Sequence, residues 1–438
     1  MVKKTKEKKV YIAISGDIID ANQIDLIQKA SGYGQLIVGI LTDQAISSYK
    51  RMPYMSFEDR FKIVKNIKNV AQVVTQNERD YKNNLNRYKP DYVLHYKNKW
   101  SEGIQKQIRN NIIKVLKKWN GKLIEVPIKK IFQNVESDKI HSLLSGPEIR
   151  SARLKRLISA NSIVRVMETH SPLSALIVEN IKYEKNFEIK EFDAFWSSSL
   201  TDSTLRGKPD IEAVDLTSRM QTINDIFDVT TKPLIYDADT GGKSEHFIYT
   251  IQSLERVGVS AVIIEDKKGL KRNSLYGNKV HQTQETIKIF SDKIYKARKK
   301  VQSNDFMLIA RIESLILEKK VNDAISRAKS YISAGADAIM IHSKNKDINE
   351  IEEFCNKYHQ VGLKAPLVVV PTSYNSVKEK YLEKLGIKVV IYANHMLRAS
   401  VPMMQKVALD ILKNERSKES DGDLMSINEI LNYIPYTD

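Results

Sequence analysis

Eight short apolar runs recur through the second half of the chain, and their spacing constrains the fold more than any other feature. They are SIVRVME, FDAFWS, PLIYDAD, AVIIED, MLIARIE, AIMIHS, LVVVP and VVIYAN. Amphipathic segments of helical length separate most of them, for example 211–226, 245–257, 282–299 and 319–334. Strands alternating with helices predict a parallel sheet, because each crossover lays a helix over the sheet face. Eight such units over ~290 residues match the count and size of a (β/α)8 TIM barrel.

The residues that end these runs point to an enzyme. They are Glu168 and His170; Trp196 and Ser198; Asp237 and Asp239; Glu265 and Lys267; Arg311 and Glu313; His342 and Ser343; Thr372; Asn394 and His395. In a barrel these ends converge on one face, where active sites lie. One polar residue after a strand only begins a loop. Eight in succession, with carboxylates on the adjacent third and fourth strands, predict a catalytic face.

A chain of 438 residues is long for one domain. The first ~130 residues carry their own α/β alternation, through KVYIAIS, QLIVGIL, AQVVT, DYVLH and KLIEVP, with helical patterns near 22–31, 56–68 and 101–118. This predicts a small doubly wound, Rossmann-like domain over 1–132, a polar linker over 133–145 and the barrel over 146–438. No apolar run approaches the ~18 residues needed to span a bilayer, and the N-terminus lacks the apolar core of a signal peptide. The lone Cys355 excludes an internal disulfide and a zinc cluster, so a cytoplasmic protein is expected. The net charge of +17 is mostly scattered lysine, with no nucleic-acid motif. It predicts surface solvation and attraction for small anions, with neither nucleic acid nor membrane as a partner.

Asp237, Asp239 and Glu265 are hard oxygen ligands without a cysteine or a histidine pair nearby, which favours Mg²⁺ over zinc. Gly241 and Gly242 allow close backbone approach to a ligand. Arg311 suits bidentate recognition of phosphate or carboxylate. The segment EDKKGLKRNS (265–274) leads from an acidic strand end into a loop bearing Lys267, Lys271, Asn273 and Ser274, which could close over an anionic substrate. Taken alone, that loop could equally be a solvated surface turn, and His342 a satisfied core histidine.

Residues 145–435 resemble the phosphoenolpyruvate mutases of the isocitrate lyase/phosphoenolpyruvate mutase superfamily. The resemblance runs through FWSSSLTDSTLRGKPD (195–210), DADTGG (237–242), EDKKGLKRNS, ARIES (310–314), MIHSK (340–344), VVPT (369–372) and IYANHMLRAS (391–400). It implies a Mg²⁺-dependent isomerase that interconverts phosphoenolpyruvate and 3-phosphonopyruvate, forming the C–P bond of natural phosphonates. It makes Asp237 the direct metal ligand, with Asp239, Glu265 and Asp210 acting largely through metal-bound water. Trp196, Ser198, Ser199 and Leu200 would line the carboxylate end of the substrate. Arg311 and His342 would hold the phosphoryl group, and Lys271, Asn273 and Ser274 would form a gating loop. Whether Asp210 attacks phosphorus or only orients is left open. The C–C lyases of the superfamily place a cysteine in the gating loop, which this chain lacks. Asn273 matches the mutase pattern better than that of phosphonopyruvate hydrolase, the main alternative. A non-catalytic scaffold is a reading from another class. The resemblance further implies a homo-oligomer, dimer or tetramer, built through segment 396–414. A downstream phosphonopyruvate decarboxylase or aminotransferase would draw the product away.

Residues 9–130 resemble cytidylyltransferase-like nucleotidyltransferases through YIAISGDIID, MSFEDRFKIVKNIKNV (55–70) and WSEGIQKQIRNNIIKVLKKWNGKLIEVP (100–127). Active members carry H-x-G-H at the first helix start. Here Asn22, Gln23, Ile24 and Asp25 stand there, and two further nucleotide-contacting segments read YKNKW (96–100) and IKKIFQNV (128–135). The expectation is a catalytically inactive domain, with a bifunctional mutase/cytidylyltransferase as its alternative.

Overall fold

The computed structural model describes residues 7–47, 52–97, 103–127, 146–185, 188–269, 271–274, 281–432 and 434. The expected linker, 133–145, lies outside them. The chain divides into two compact units, Met1–Ile140 with Tyr183–Lys190, and His141–Lys182 with Glu191–Asp438.

In the first unit, β1 (Lys9–Ile14), β2 (Gln35–Leu41), β3 (Gln72–Gln76), β4 (Tyr92–Tyr96) and β5 (Lys122–Val126) form a parallel sheet ordered β3-β2-β1-β4-β5. The order reverses at β1, which makes the sheet doubly wound. Side chains alternate across β1. Val10, Ile12 and Ile14 join one buried cluster, while Tyr11 and Ala13 join another. Gly39 is required in β2, because a Cβ there would stand 2.0 Å from the Tyr11 hydroxyl.

In the second unit, the eight anticipated runs are β6 (Val164–Glu168), β9 (Ala194–Ser197), β10 (Leu234–Asp237), β11 (Ala261–Glu265), β14 (Met307–Ile312), β15 (Ala338–Ile341), β16 (Leu367–Val369) and β17 (Ile387–Tyr392). They close into one parallel barrel in that order, with β17 paired to β6. The strands are nearly all buried because helices cover the barrel's outer surface. The helix Asn349–Gln360 shows the pattern, burying Ile351, Phe354, Cys355 and Tyr358 on one stripe.

The helix expected over 211–226 begins later, at Leu216–Val229, where Asp215 caps it through Ser218 N. The helix expected over 282–299 spans Ile287–Arg298, because Thr283–Gln284 (β13) pairs antiparallel with Lys267–Lys268 (β12) and Thr286 supplies the cap. A hairpin of β7 (Lys182–Lys185) and β8 (Glu188–Glu191) and a short helix, Ser199–Leu205, were not anticipated. The last barrel helix, His395–Asn414, buries only Leu397 and exposes Met404, Leu409 and Leu412. Among the described residues, no helix is long and apolar enough to cross a membrane.

Candidate active site

The C-terminal strand ends surround a cavity of about 70 Å³. Trp196, Ser198, Ser199, Leu200, Asp210, Asp237, Lys271, Asn273, Ser274, Arg311 and His342 all line it, which brings together the residues singled out from sequence. Asp239 and Glu265 are buried beside it but do not form its wall. Met340, Val370 and Ala393 complete the lining and were missed, since apolar residues at strand ends read as core. Thr372 and Asn394, recognised only as strand ends, also face the cavity.

Asp237 ends β10. Its Oδ2 accepts from the Ser199 hydroxyl at 2.9 Å, and its Oδ1 accepts from Asp239 N at 3.2 Å. The loop after it turns tightly. Asp239 has φ 56° and Gly241 φ 74°, and a Cβ on Gly241 would press on Phe247 at 3.1 Å and Ile264 at 3.2 Å. Behind Asp237 lies Arg219, a residue the sequence did not flag. It donates to Asp202 at 2.7 Å and to the Asp237 carbonyl at 2.6 Å, and stacks 4.0 Å from the Tyr236 ring centroid.

The loop that follows β11 reaches across the cavity. Lys271 Nζ donates to Asp210 at 2.8 Å and also to Asp239 and Ser199. Asn273 donates to the other Asp210 oxygen at 3.0 Å. Ser274 donates to Glu313 at 2.6 Å and accepts from Arg311 at 2.6 Å. On the opposite wall Arg311 Nε donates to Glu313 at 2.5 Å, and its NH2 meets His342 Nδ1 at 3.0 Å.

The charges interlock. Burial alone would raise the carboxyls of Asp237 and Glu313, but cations overcome it. Lys271 and Arg311 hold Asp237 below its ordinary range, and Arg311, helped by Lys267, holds Glu313 well below. Burial prevails at Asp239, which is raised, and at Glu265, raised to about 7 despite Arg311 and Lys267. Burial, then Arg311, lowers His342, so its ring is neutral. With Nδ1 accepting from Arg311, its proton sits on Nε2. The contact with Glu313 at 3.2 Å is therefore not an ion pair.

Among the described residues, no three carboxylate, imidazole or thiol groups converge as a protein-only metal cage. Asp237, with Asp239 and Glu265 buried beside it, offers the hard carboxylate oxygens that Mg²⁺ takes together with water and substrate oxygens. Both buried oxygens of Glu265 lack a hydrogen-bond donor, although Arg311 approaches to 3.3 Å and Lys267 to 3.2 Å. An acceptor of this kind suits a water carried by a cation.

In the first unit the carboxylates of Asp17 and Asp20 occupy backbone donors of their own chain. Asp20 accepts from Gln23 N at 2.8 Å at the first helix start, and Asp17 accepts from Tyr54 N at 3.1 Å and Met55 N at 3.0 Å. Most of YKNKW and all of IKKIFQNV lie outside the described residues.

Residues 154–412 match the family model for phosphoenolpyruvate phosphomutase, and residues 17–156 the cytidylyltransferase-like model. The phosphoenolpyruvate phosphomutase of Tetrahymena pyriformis is 32% identical over 282 residues, which cover 64% of this chain and 90% of that protein. The phosphonopyruvate hydrolase of Variovorax sp. (strain Pal2) is 32% identical over 286 residues, 64% of this chain and 93% of that protein. A crystal structure of the phosphomutase of Streptomyces platensis subsp. rosaceus superposes with a TM-score of 0.59 at 31% identity, covering 65% of this chain and 94% of the other. A phosphonopyruvate hydrolase solved with oxalate and Mg²⁺ gives 0.58 at 30% identity, covering 65% and 94%. The chain belongs to the phosphoenolpyruvate phosphomutase family, and a cytidylyltransferase-like domain precedes its barrel.

Proposed function

We propose that the barrel is a Mg²⁺-dependent phosphoenolpyruvate mutase, an isomerase that moves a phosphoryl group between the enol oxygen of phosphoenolpyruvate and the carbon of 3-phosphonopyruvate. The observation that carries this reading is the loop at 271–274. Three of its side chains hydrogen-bond the cavity walls, through Asp210, Ser199, Asp239, Glu313 and Arg311. Such closure excludes water from a phosphoryl group in transit, as an isomerase requires.

The short helix beginning at Ser199, with Ser198 as its cap, offers hydroxyl and backbone donors to the substrate carboxylate. Arg311 and the Nε2 proton of neutral His342 receive the phosphoryl oxygens. A loose, metaphosphate-like transition state asks for positioning and charge rather than covalent help. Asp210 already accepts from Lys271 and Asn273 through its two oxygens, which suits an orienting group better than a nucleophile. Asp237, with Asp239 and Glu265 behind it, would hold Mg²⁺, which supplies positive charge against the substrate oxygens.

The test is phosphorus NMR on the full chain with Mg²⁺ and phosphonopyruvate. Phosphoenolpyruvate is the expected product. Inorganic phosphate alone would make the protein a hydrolase, the activity of an equally similar relative.

The first unit reads as an inactive nucleotidyltransferase. Asp25 stands where active members carry the second histidine of H-x-G-H, and its charge would repel a triphosphate. Pyrophosphate release from CTP by the full chain would overturn that. The apolar face of His395–Asn414 supports a homo-oligomer.

A further inference from the structure

We propose that Lys267 is the latch of the gating loop, and that it decides whether the phosphoryl group is kept or lost to water. The inference rests on the mutase reading above.

Lys267 is the first residue after the acidic end of β11, and its side chain is 4% exposed. It does not line the cavity and so does not touch substrate. An ammonium has three N–H donors and no acceptor. All three reach the loop. Nζ donates to the Arg272 carbonyl at 2.7 Å, to the Ser274 hydroxyl at 2.9 Å and to Gln282 Oε1 at 3.0 Å. Arg272 and Ser274 belong to the outgoing arm, Gln282 to the returning arm. One cation on a fixed strand end therefore holds both arms.

Beneath it, Glu265 Oε1 at 3.2 Å and Glu313 Oε2 at 3.7 Å fix the ammonium in place. The backbone adds a hinge, since Lys267 pairs with Gln284 across β12 and β13. Opening the loop breaks the three side-chain bonds and leaves the hinge intact. A device of this form has two states. The same Ser274 hydroxyl meets both Lys267 and Arg311, so closure of the latch and placement of the phosphoryl-binding arginine are coupled.

The chemistry gives the latch its consequence. In phosphonopyruvate the C–P bond breaks, its electron pair stays with the pyruvate enolate, and the enolate oxygen captures phosphorus to give phosphoenolpyruvate. If water enters first, its oxygen takes the phosphorus. The products are then inorganic phosphate and, after the enolate carbon takes a proton, pyruvate. Lys267 is thus a positioning residue whose loss shifts the ratio of the two products.

The experiment compares wild type, Lys267→Met, Lys267→Arg and Gln282→Leu as full-length chains with Mg²⁺ and phosphonopyruvate, reading both products by phosphorus NMR. Lys267→Met and Gln282→Leu are expected to raise the phosphate-to-phosphoenolpyruvate ratio at least ~10-fold, with KM held within ~3-fold and kcat lowered. Lys267→Arg, which keeps the charge and donors, should return the ratio most of the way. Gln282 is half-buried and accepts from Lys267 at the loop's returning arm, so its variant carries the test if Lys267→Met does not fold. Lower kcat at an unchanged product ratio in the folded variants would overturn the latch and leave Lys267 a structural counter-ion. A wild type that yields phosphate alone would overturn the mutase reading, and the latch with it.

Discussion

Replacing Arg219 by methionine should destabilise the barrel by ~3–5 kcal/mol, the usual cost of removing one partner of a buried ion pair. Arg219 and Asp202 are 4% and 3% exposed, so solvent does little to screen the pair. Methionine keeps the aliphatic stem, so little cavity is created, although the guanidinium's stack on Tyr236 goes with the charge. What is lost is the 2.7 Å bond to Asp202 and the 2.6 Å bond to the Asp237 carbonyl. Asp202 would then keep a 3.3 Å contact from the Ser197 hydroxyl and a 3.9 Å approach from Arg206, which is half-exposed. Adding Asp202→Asn removes the stranded charge and should restore ~2 kcal/mol, a coupling that a double-mutant cycle measures. Trp196 sits in β9 at 2% exposure. With Trp100 and Trp119 changed to phenylalanine, its fluorescence reports urea unfolding of the barrel alone. A loss below ~1 kcal/mol at unchanged m-value, or a cycle with no coupling, would refute the reasoning.

Asp237→Ala should lower turnover ~100-fold or more and abolish any rise in melting temperature on adding Mg²⁺, checked by phosphorus NMR and calorimetry. Burial pushes the Cys355 thiol up to about 12, so at pH 8 only ~1 in 10,000 is thiolate. An aromatic disulfide reagent should therefore leave the native protein unlabelled and react with one equivalent in denaturant. Fast native labelling would place Cys355 at the surface. Arg60→Met should cost the first unit ~2–4 kcal/mol, because fully buried Arg60 bonds Asp43 at 2.6 Å and the Leu41 carbonyl at 2.8 Å. Unfolding followed by Trp119 should move while the Trp196 transition stays in place.

The eight strands were legible because each is a short apolar run closed by a polar residue, a pattern that needs no long-range information. Trp196, Ser198, Asp237, Arg311 and His342 were legible for the same reason, since they carry chemistry at strand ends, whereas Ser199, Leu200 and Asp210 came only through the family resemblance and Met340, Val370 and Ala393 not at all. Arg219 was not legible either. It lies within an amphipathic helix, and its partners, Asp202 and the Asp237 carbonyl, are set by the crossover of chain from β9 to β10 rather than by local spacing. The two strands β12 and β13 are each two residues long, too short for any periodicity, so Thr283 and Gln284 read as the start of a helix.

The pair Glu265–Asp266 shows how much more the period-2 rule contains. Successive side chains at a strand end point to opposite faces. Glu265 meets Arg311 and Lys267 on the cavity side. Asp266 turns outward and accepts from Tyr331 at 2.7 Å, Gln284 at 2.9 Å and Arg327 at 3.1 Å. Tyr331 and Arg327 belong to the helix Val321–Ser333, and Gln284 to the loop's returning arm. One acid therefore serves the site, and the next fastens the base of its gate to the barrel's outer layer. Alternation alone assigns the two acids to opposite faces. Their partners come from segments far along the chain, and only the closed barrel brings those segments to them.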